Sequence, residues 1–325
     1  MSRVMPVPAL RRRLLLCCAL VVTGAPASAQ QDQSRYQQSV EAIGRRQAVD
    51  DSIAAAGARS ILLTTGAPTA RAILLLHGLT DSPRQFEAFA HLLYADGNNV
   101  YVPRLPQHGL RGKDAGALGA LTVSQLRGVA DSVVDEVRGL GDSVVVVGLS
   151  MGGTIGAWIA QARDVTRVIL IAPAIEPGRI PSLLDRPLIG LADHLPSLTR
   201  RSQPDAARPD REPGFSLHAV AEVLELGRSL LNEAAQVPSR TRDVTLLVNA
   251  SDRTVKASAA EALGERWLHH GAAVSVFELP DSLRLPHNII DPFEGHGGGD
   301  AVLAVLRDLT YGREPSALVR RLSLR

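Results

Sequence analysis

The sequence predicts an α/β fold in which a mostly parallel central sheet is flanked by helices and interrupted by an inserted helical cap. Three observations support this prediction. Short apolar runs alternate with longer helical patterns from about residue 57 to residue 312. Several apolar runs lack polar alternation, which is typical of strands buried on both faces of a parallel sheet. One such run, 143–147, passes through a serine turn with flanking glycines directly into a helical pattern.

The predicted elements follow one another in chain order. Strand-like runs lie at 60–64, 72–76, 99–102, 143–147, 167–172, 244–249 and 274–279. Helical runs lie among them at 85–95, 122–140, 151–162, 257–270 and 300–311. This alternation favours right-handed crossovers that return each strand to the same sheet.

One interval breaks the alternation. About seventy residues separate the runs that end at 172 and begin at 244, which is too long for a simple connection. Within it, 215–237 has apolar residues at helical spacing. We interpret 176–237 as a cap insertion, and a crossover helix preceded by a long loop is the alternative. The core is then 57–175 and 238–312, between an N-terminal leader (30–56, partly helical) and a C-terminal tail (313–325) without an assigned role.

The first 29 residues have the pattern of a secretion signal. Arg11, Arg12 and Arg13 precede an apolar stretch at 14–22, and Ala27-Ser28-Ala29 fits a cleavage site. We therefore expect export to the periplasm or the medium, with Gln30 as the first mature residue. The apolar stretch is too short for a stable membrane span, although an uncleaved anchor is the alternative. Both cysteines lie in this segment, so the mature chain would have no disulfide or thiol chemistry.

The charge balance argues against one class of function, nucleic-acid binding. The chain has 35 basic and 33 acidic residues, and removal of the four arginines before residue 30 leaves 31 basic residues. This balance gives no basic footprint for nucleic acid. We expect no metal and no organic cofactor. The oligomeric state is left open.

Ser150 is the candidate nucleophile. It lies in Gly148-Leu149-Ser150-Met151-Gly152, between a predicted strand and a predicted helix. A serine between two glycines at a sharp strand-to-helix turn is typical of a nucleophile elbow, in which the strained turn exposes the hydroxyl.

The acid and the base are expected after later strands. Asp252 follows the strand at 244–249, at the carboxyl end where the sites of α/β proteins gather. Asp243 and Asp281 are the weaker alternatives. His287 follows the last predicted strand and is favoured over His296, which lies in a glycine-rich stretch.

The oxyanion hole needs two backbone N–H groups aimed at one point. Met151, directly after the nucleophile, is the first expected donor. Leu79 is the second, in the loop 77–83 that follows the strand at 72–76. Gly78 and Thr80 of the same loop are candidate substrate-binding residues. We expect His77 to brace this loop rather than to act as a base.

These motifs together resemble the α/β-hydrolase superfamily, and within it the bacterial carboxylesterases and monoacylglycerol-lipase-like serine hydrolases. The resemblance covers about residues 57–312. It rests on the loop 77–83 (HG-x-T-x-x-P type), on the elbow 148–153 (G-x-S-x-G-G), on Asp252 before Thr254-Val255 and on His287. Residues 103–109 are similar to the family's P-x-L-P-G-H-G segment, with Gln107 at a usual glycine.

The resemblance implies an α/β-hydrolase fold with a cap between the family's sixth and seventh strands. It also implies ester hydrolysis through a Ser150-His287-Asp252 triad and an acyl-enzyme, on small-molecule ester or lipid substrates such as short- to medium-chain esters or monoacylglycerols. The alternatives are the same triad acting on a peptide, thioester, lactone or C–C bond, and a secreted binding protein without turnover. An apolar pocket is expected from cap residues Leu183, Leu184, Leu188, Ile189 and Leu191.

Overall fold

The computed structural model describes residues 27–112, 116–178, 199–201, 210–212, 214–291, 299–316 and 318–324. The strands are β1 (Ile61–Leu63), β2 (Ala72–Leu76), β3 (Asn99–Val102), β4 (Val144–Leu149), β5 (Arg167–Ile171), β6 (Thr199–Arg201), β7 (Gly214–Ser216), β8 (Asp243–Asn249), β9 (Ala273–Leu279) and β10 (Arg320–Leu322). The helices are α1 (Ala27–Ile53), α2 (Glu87–Ala95), α3 (Val123–Val137), α4 (Met151–Ala162), α5 (Leu217–Ala234), α6 (Ala257–His269) and α7 (Asp300–Thr310).

Eight strands form one sheet in the order β1-β3-β2-β4-β5-β8-β9-β10. The six inner strands are parallel, and β1 and β10 pair antiparallel at the two edges. The chain moves from β2 to β3 on one side and then returns to place β4 on the other side of β2. The crevice outside the carboxyl ends of β2 and β4 is therefore the point at which this kind of sheet binds its ligands.

All seven predicted strands and the five predicted core helices are present, with ends that differ by a few residues. The central strands are continuous apolar runs because helices cover both faces of the sheet. β2 and β4 are buried at every residue. The two large hydrophobic clusters of the described residues lie one on each face.

Helix α1 occupies the segment that the sequence predicted as a partly helical leader. Tyr36 and Ile43 of this helix are buried in the main hydrophobic cluster. Its polar side also contacts the core, because the Arg46 guanidinium binds both carboxylate oxygens of Glu136 at the end of α3. The segment is thus part of the packed fold.

Helix α5 belongs to the core as well as to the inserted interval. Ala219, Leu226, Leu230 and Ala234 lie in the main hydrophobic cluster, and the helix contacts α3, α4 and α6. The helix therefore forms part of the crossover between β5 and β8. Residues of its N-terminal part, Val220, Val223 and Leu224, line the crevice. The five leucine and isoleucine residues expected to form an apolar pocket at 183–191 lie outside the described residues.

Two parts of the structure were not predicted from the sequence. The tail supplies β10, which pairs antiparallel with β9. The inserted interval contains a short hairpin of β6 and β7. Each of these strands has three residues, too few for a recognisable alternation pattern.

Candidate active site

Ser150 lies at the sharp turn between β4 and α4. Its backbone has φ 56° and ψ −117°, a strained conformation for a residue with a side chain. A Cβ at Gly148 would overlap the carbonyl of Gly152, and a Cβ at Gly152 would overlap the carbonyl of Leu76. The two glycines are therefore required for strand and helix to approach, and the turn carries the Ser150 side chain to the crevice.

His287 and Asp252 form a close pair beside this turn. Nδ1 of His287 and Oδ2 of Asp252 are 2.6 Å apart. The Asp252 side chain is only 4% exposed, whereas the His287 side chain is 20% exposed. Nε2 of His287 is buried and has no hydrogen-bond partner in the part of the chain that the structure describes. The imidazole therefore donates a hydrogen bond from Nδ1 to the carboxylate. The lone pair of Nε2 is then able to accept a proton.

The loop after β8 fixes the Asp252 carboxylate. Oδ1 accepts hydrogen bonds from the N–H groups of Thr254 (2.7 Å) and Val255 (3.3 Å), which leaves Oδ2 for the imidazole. The two weaker acid candidates are engaged elsewhere. Asp243 is paired with Arg167 at the start of β8, and Asp281 accepts a hydrogen bond from Ser251. His296, the alternative base, lies outside the described residues.

Asn249 positions the histidine loop and was missed by the sequence analysis. This buried residue ends β8 and donates from Nδ2 to the carbonyls of Leu285 (3.1 Å) and Pro286 (2.9 Å). The two carbonyls directly precede His287, so the side chain of Asn249 fixes the position of the loop that carries His287 next to Asp252. A polar residue at the end of a buried strand was the available signal.

Leu79 and Met151 line the same cavity as Ser150. Met151 is the first residue of α4, so its N–H has no acceptor within the helix. Gly78 is in contact range of Ser150, since a Cβ there would lie 3.7 Å from that of Ser150. The two backbone N–H groups named from the sequence thus occupy the neighbourhood of one serine.

His77 is a structural residue, as the sequence predicted. It is fully buried, and its Nε2 accepts the N–H of Leu105 at 3.1 Å. The proton is then on Nδ1, which donates to the carbonyl of Gly78 at 2.9 Å. Because the peptide plane is rigid and trans, a fixed Gly78 carbonyl also fixes the opposite direction of the Leu79 N–H.

The loop 103–109 tolerates the missing glycine. Gln107 adopts φ 64°, the left-handed conformation that glycine would adopt without strain. The next residue, His108, is fully buried against the ring of His77. Burial lowers the pKa of His108 to about 4, so this ring is neutral at pH 7.

A cavity of about 380 Å³ opens above Ser150 and His287. One wall is apolar and includes three residues of the first turns of α5, namely Val220, Val223 and Leu224. The polar residues that line the cavity include Thr80, Asp81, Gln85, Arg211 and Asn288. The two candidate substrate-binding residues, Gly78 and Thr80, both line this cavity.

The described residues contain neither a metal-binding cluster nor a membrane-spanning helix. No group of three or more His, Cys, Asp or Glu side chains there could hold a metal ion. No helix in the same ranges is long and apolar enough to cross a membrane.

Comparisons with known proteins agree with this geometry. The family model described as "Alpha/beta hydrolase family" matches residues 73–288, which is about two thirds of the chain. The thermostable monoacylglycerol lipase of Bacillus sp. (strain H-257) is 25% identical over 193 residues, which cover 59% of this chain and 74% of that protein.

Solved structures share the fold at lower identity. The monoacylglycerol lipase of Paleococcus ferrophilus superposes with a TM-score of 0.56 at 21% identity, covering 75% of this chain and 96% of that one. A soluble variant of the monoglyceride lipase of Saccharomyces cerevisiae, in complex with a substrate analog, gives a TM-score of 0.60 at 14% identity and covers 78% and 90%.

Proposed function

Because the chain belongs to the alpha/beta hydrolase family, we propose that it hydrolyses carboxylic esters through a covalent acyl-enzyme on Ser150. One observation carries this proposal. Ser150, at its strained turn, lines one cavity with His287, Leu79 and Met151, and Oδ2 of Asp252 lies 2.6 Å from Nδ1 of His287. A nucleophile, a base, an orienting acid and oxyanion donors are the parts that acyl transfer requires.

In the proposed first half-reaction, Nε2 of His287 removes the Ser150 proton as Oγ attacks the ester carbonyl. The N–H groups of Leu79 and Met151 stabilise the oxyanion of the tetrahedral intermediate. The imidazolium then protonates the leaving alcohol oxygen, the C–O bond breaks, and Ser150 keeps the acyl group. Asp252 holds the imidazole in the Nδ1–H tautomer and stabilises its positive form.

In the second half-reaction, a water molecule replaces the alcohol. His287 removes a proton from this water as it attacks the acyl carbonyl, and the same two N–H groups stabilise the second oxyanion. Collapse returns the proton to Ser150 Oγ and releases the carboxylic acid. No redox partner or cofactor enters this balance.

The mixed apolar and polar lining of the cavity favours an ester with an apolar acyl chain and a hydroxylated alcohol part. Val220, Val223 and Leu224 would contact the acyl chain, and Thr80 and Asn288 would bind hydroxyl groups. Monoacylglycerols have both parts, and simple short- to medium-chain esters have the acyl part alone. The likeness to a monoacylglycerol lipase supports the same class of substrate.

The test is hydrolysis of p-nitrophenyl esters from acetyl to palmitoyl, and of monoacylglycerols, by residues 30–325 and by the Ser150→Ala variant. We expect turnover that Ser150→Ala abolishes and a preference for acyl chains that fit about 380 Å³. Absence of ester turnover in the parent protein contradicts the proposal. Thioester, lactone and peptide substrates tested in parallel then identify whether the same triad acts on another bond.

We also propose that the chain is exported and cleaved after Ala29. The arginines at 11–13, the apolar stretch that follows and the small residues at 27–29 support this proposal. Expression in a bacterial host should give a protein outside the cytoplasm whose first residue, by mass spectrometry, is Gln30. A full-length product confined to the cytoplasm contradicts it.

A further inference from the structure

Three consecutive residues of the inserted interval, Asp210, Arg211 and Glu212, lie against the loop that carries Leu79. We call these three residues the strap. Asp210 is 1% exposed and Glu212 is 7% exposed. Buried carboxylates are costly unless hydrogen bonds compensate the lost hydration, so the partners of these two side chains indicate what the strap holds.

Asp210 binds one side chain at the end of this loop, Ser82, and one just after it, Arg84. Ser82 Oγ donates to Oδ2 of Asp210 at 2.5 Å. The Arg84 guanidinium donates from Nη1 to Oδ1 at 3.3 Å. Each carboxylate oxygen therefore accepts from a different residue between 82 and 84.

Glu212 holds the middle of the loop through its backbone. Its N–H donates to the carbonyl of Thr80 at 2.8 Å, and its carboxylate accepts the N–H of Gly109 at 3.0 Å. Thr80 has φ 71°, which is strained for a β-branched residue. Such a conformation persists only where the surroundings enforce it, and the bond from Glu212 is one such constraint.

Arg211 connects the strap to the peptide at Gly78. Its Nε lies 3.8 Å from Oδ2 of the buried Asp81. Asp81 also accepts from Gln85 Nε2 at 3.0 Å, and Gln85 Oε1 accepts the N–H of Gly78 at 2.8 Å. A continuous chain of polar contacts thus runs from the strap to the residue before Leu79.

We propose that the strap is a positioning element that fixes the loop 78–82 so that the Leu79 N–H points at the oxyanion. This inference rests on the proposed function, because it assigns the strap a part in the same reaction. None of the three strap residues needs to touch the reacting atoms. Loosening the strap should therefore weaken stabilisation of the transition state more than binding of the substrate.

The test uses Asp210→Asn, which keeps the volume of the side chain. Its NH₂ group cannot accept a hydrogen bond, so either the bond from Ser82 or the bond from Arg84 is lost. Ser82→Ala removes one of these bonds from the other side. Glu225→Gln is the matched control, because Glu225 lies on α5 in an ion pair with Arg228 and away from the loop. For each variant, kcat and KM are measured with p-nitrophenyl butyrate and with its thionoester.

Sulfur accepts hydrogen bonds weakly, so the thionoester depends less on the oxyanion donors. We expect kcat for the ester to fall about tenfold or more in Asp210→Asn, a smaller effect than complete loss of an oxyanion donor, with KM within threefold. The thionoester should lose less, so the ester-to-thionoester ratio of kcat/KM falls. Ser82→Ala should shift the ratio in the same direction, and Glu225→Gln should leave it unchanged.

Equal losses on both substrates would overturn the proposal, because they indicate a smaller folded fraction rather than a misaligned donor. Hydrogen exchange of the peptide 77–86 provides a readout that needs no turnover. It should accelerate in Asp210→Asn relative to the parent protein, and unchanged exchange also overturns the proposal. If the parent protein hydrolyses neither substrate, the proposed function fails while the exchange result still decides whether the strap holds the loop.

Discussion

At the scale of single residues, Asp252 binds different groups with its two carboxylate oxygens. Oδ1 is occupied by the N–H groups of Thr254 and Val255, and Oδ2 faces Nδ1 of His287. The backbone therefore fixes the carboxylate before the imidazole binds it. This division explains how a carboxylate on one loop can orient an imidazole on another loop 35 residues later.

Asp252→Asn should reduce kcat by about 10⁴-fold with a small change in KM, if the pair acts as triads do in other hydrolases. The amide would offer an N–H to Nδ1 and so favour the tautomer with its proton on Nε2, which cannot act as a base. Steady-state kinetics on p-nitrophenyl butyrate measures the loss. Asp281→Asn, at the exposed alternative acid, should retain full activity, and a similar loss there would contradict the assignment.

His108 should make stability depend on pH. Burial lowers its pKa to about 4 from a reference value of 6.5, so the unfolded chain takes up the proton first as the pH falls. The stability that the neutral ring contributes is complete above pH 6.5 and is lost between pH 6.5 and 4. From pH 7 to pH 5 this loss is about 2 kcal/mol.

Urea unfolding at pH 7 and at pH 5 measures this effect. His108→Asn removes the titration and should reduce the pH-dependent loss by about 2 kcal/mol. His269→Asn, at the end of α6, is the control and should leave it unchanged. An equal pH dependence in His108→Asn and the parent protein would show that the buried ring is not responsible.

The residues proposed to carry the chemistry could be selected from the sequence, whereas most of those that position them, His77 excepted, could not. Ser150 lies in a recognisable elbow motif, and Asp252 and His287 each follow a predicted strand in the chain order expected for this fold, so local patterns selected all three. Asn249 and Asp81 act through partners 36 and 207 residues away in the sequence, at Leu285 and Asn288. No local sequence pattern predicts a contact between residues so far apart in the chain.

At the scale of elements, α1 shows how a polar segment can be a structural part of the fold. Besides Tyr36 and Ile43, it contributes Asp50, which is 1% exposed. Asp50 accepts hydrogen bonds from the side chains of Ser60 and Arg104. The helix therefore holds the segment 103–109 that in turn contacts His77.

Ile43→Ala should lower the free energy of unfolding by about 2–5 kcal/mol, because Ile43 is fully buried and the deleted atoms leave a cavity in the core. Val49→Ala on the same helix should change it by no more than about 0.5 kcal/mol, since Val49 is 54% exposed. Urea unfolding checks both variants, and kcat of the folded protein should be unchanged. Equal, small effects would show that α1 is not docked.

Helix α5 should set the length of acyl chain that the cavity accepts. Val220 is partly exposed and lines the apolar wall, so Val220→Phe should fill part of the cavity. The optimum in the p-nitrophenyl series should then move to shorter chains. Leu217→Phe adds similar bulk to an exposed residue outside that wall and should not move it. An unchanged optimum in Val220→Phe would place the acyl chain elsewhere.

The elements that could be predicted are those with strong apolar patterns. β2 and β4 are buried throughout, and apolar composition alone identified them. The buried side of α1 was not recognised, because part of it consists of charged groups such as Arg46 and Asp50. β10 was missed because its stability comes from pairing with β9 and not from a pattern of its own.

At the scale of the whole molecule, the strand order brings the site together. Ser150 follows β4 and Leu79 follows β2, on the two sides of the switch point of the sheet. Asp252 and His287 follow β8 and β9, further along the same edge of the sheet. The strap adds a fifth segment, from the inserted interval. It contacts the loop 78–82, and its Arg211 also lines the candidate substrate cavity.

The central claim is that Ser150 is an activated nucleophile, and reaction with a fluorophosphonate probe tests it most directly. Mass spectrometry of the digested protein should find one adduct, on the peptide that contains Ser150. The adduct should disappear in Ser150→Ala and be strongly reduced in His287→Gln, while Ser251→Ala should label normally. Absence of labelling, or labelling that persists in Ser150→Ala, would contradict the account.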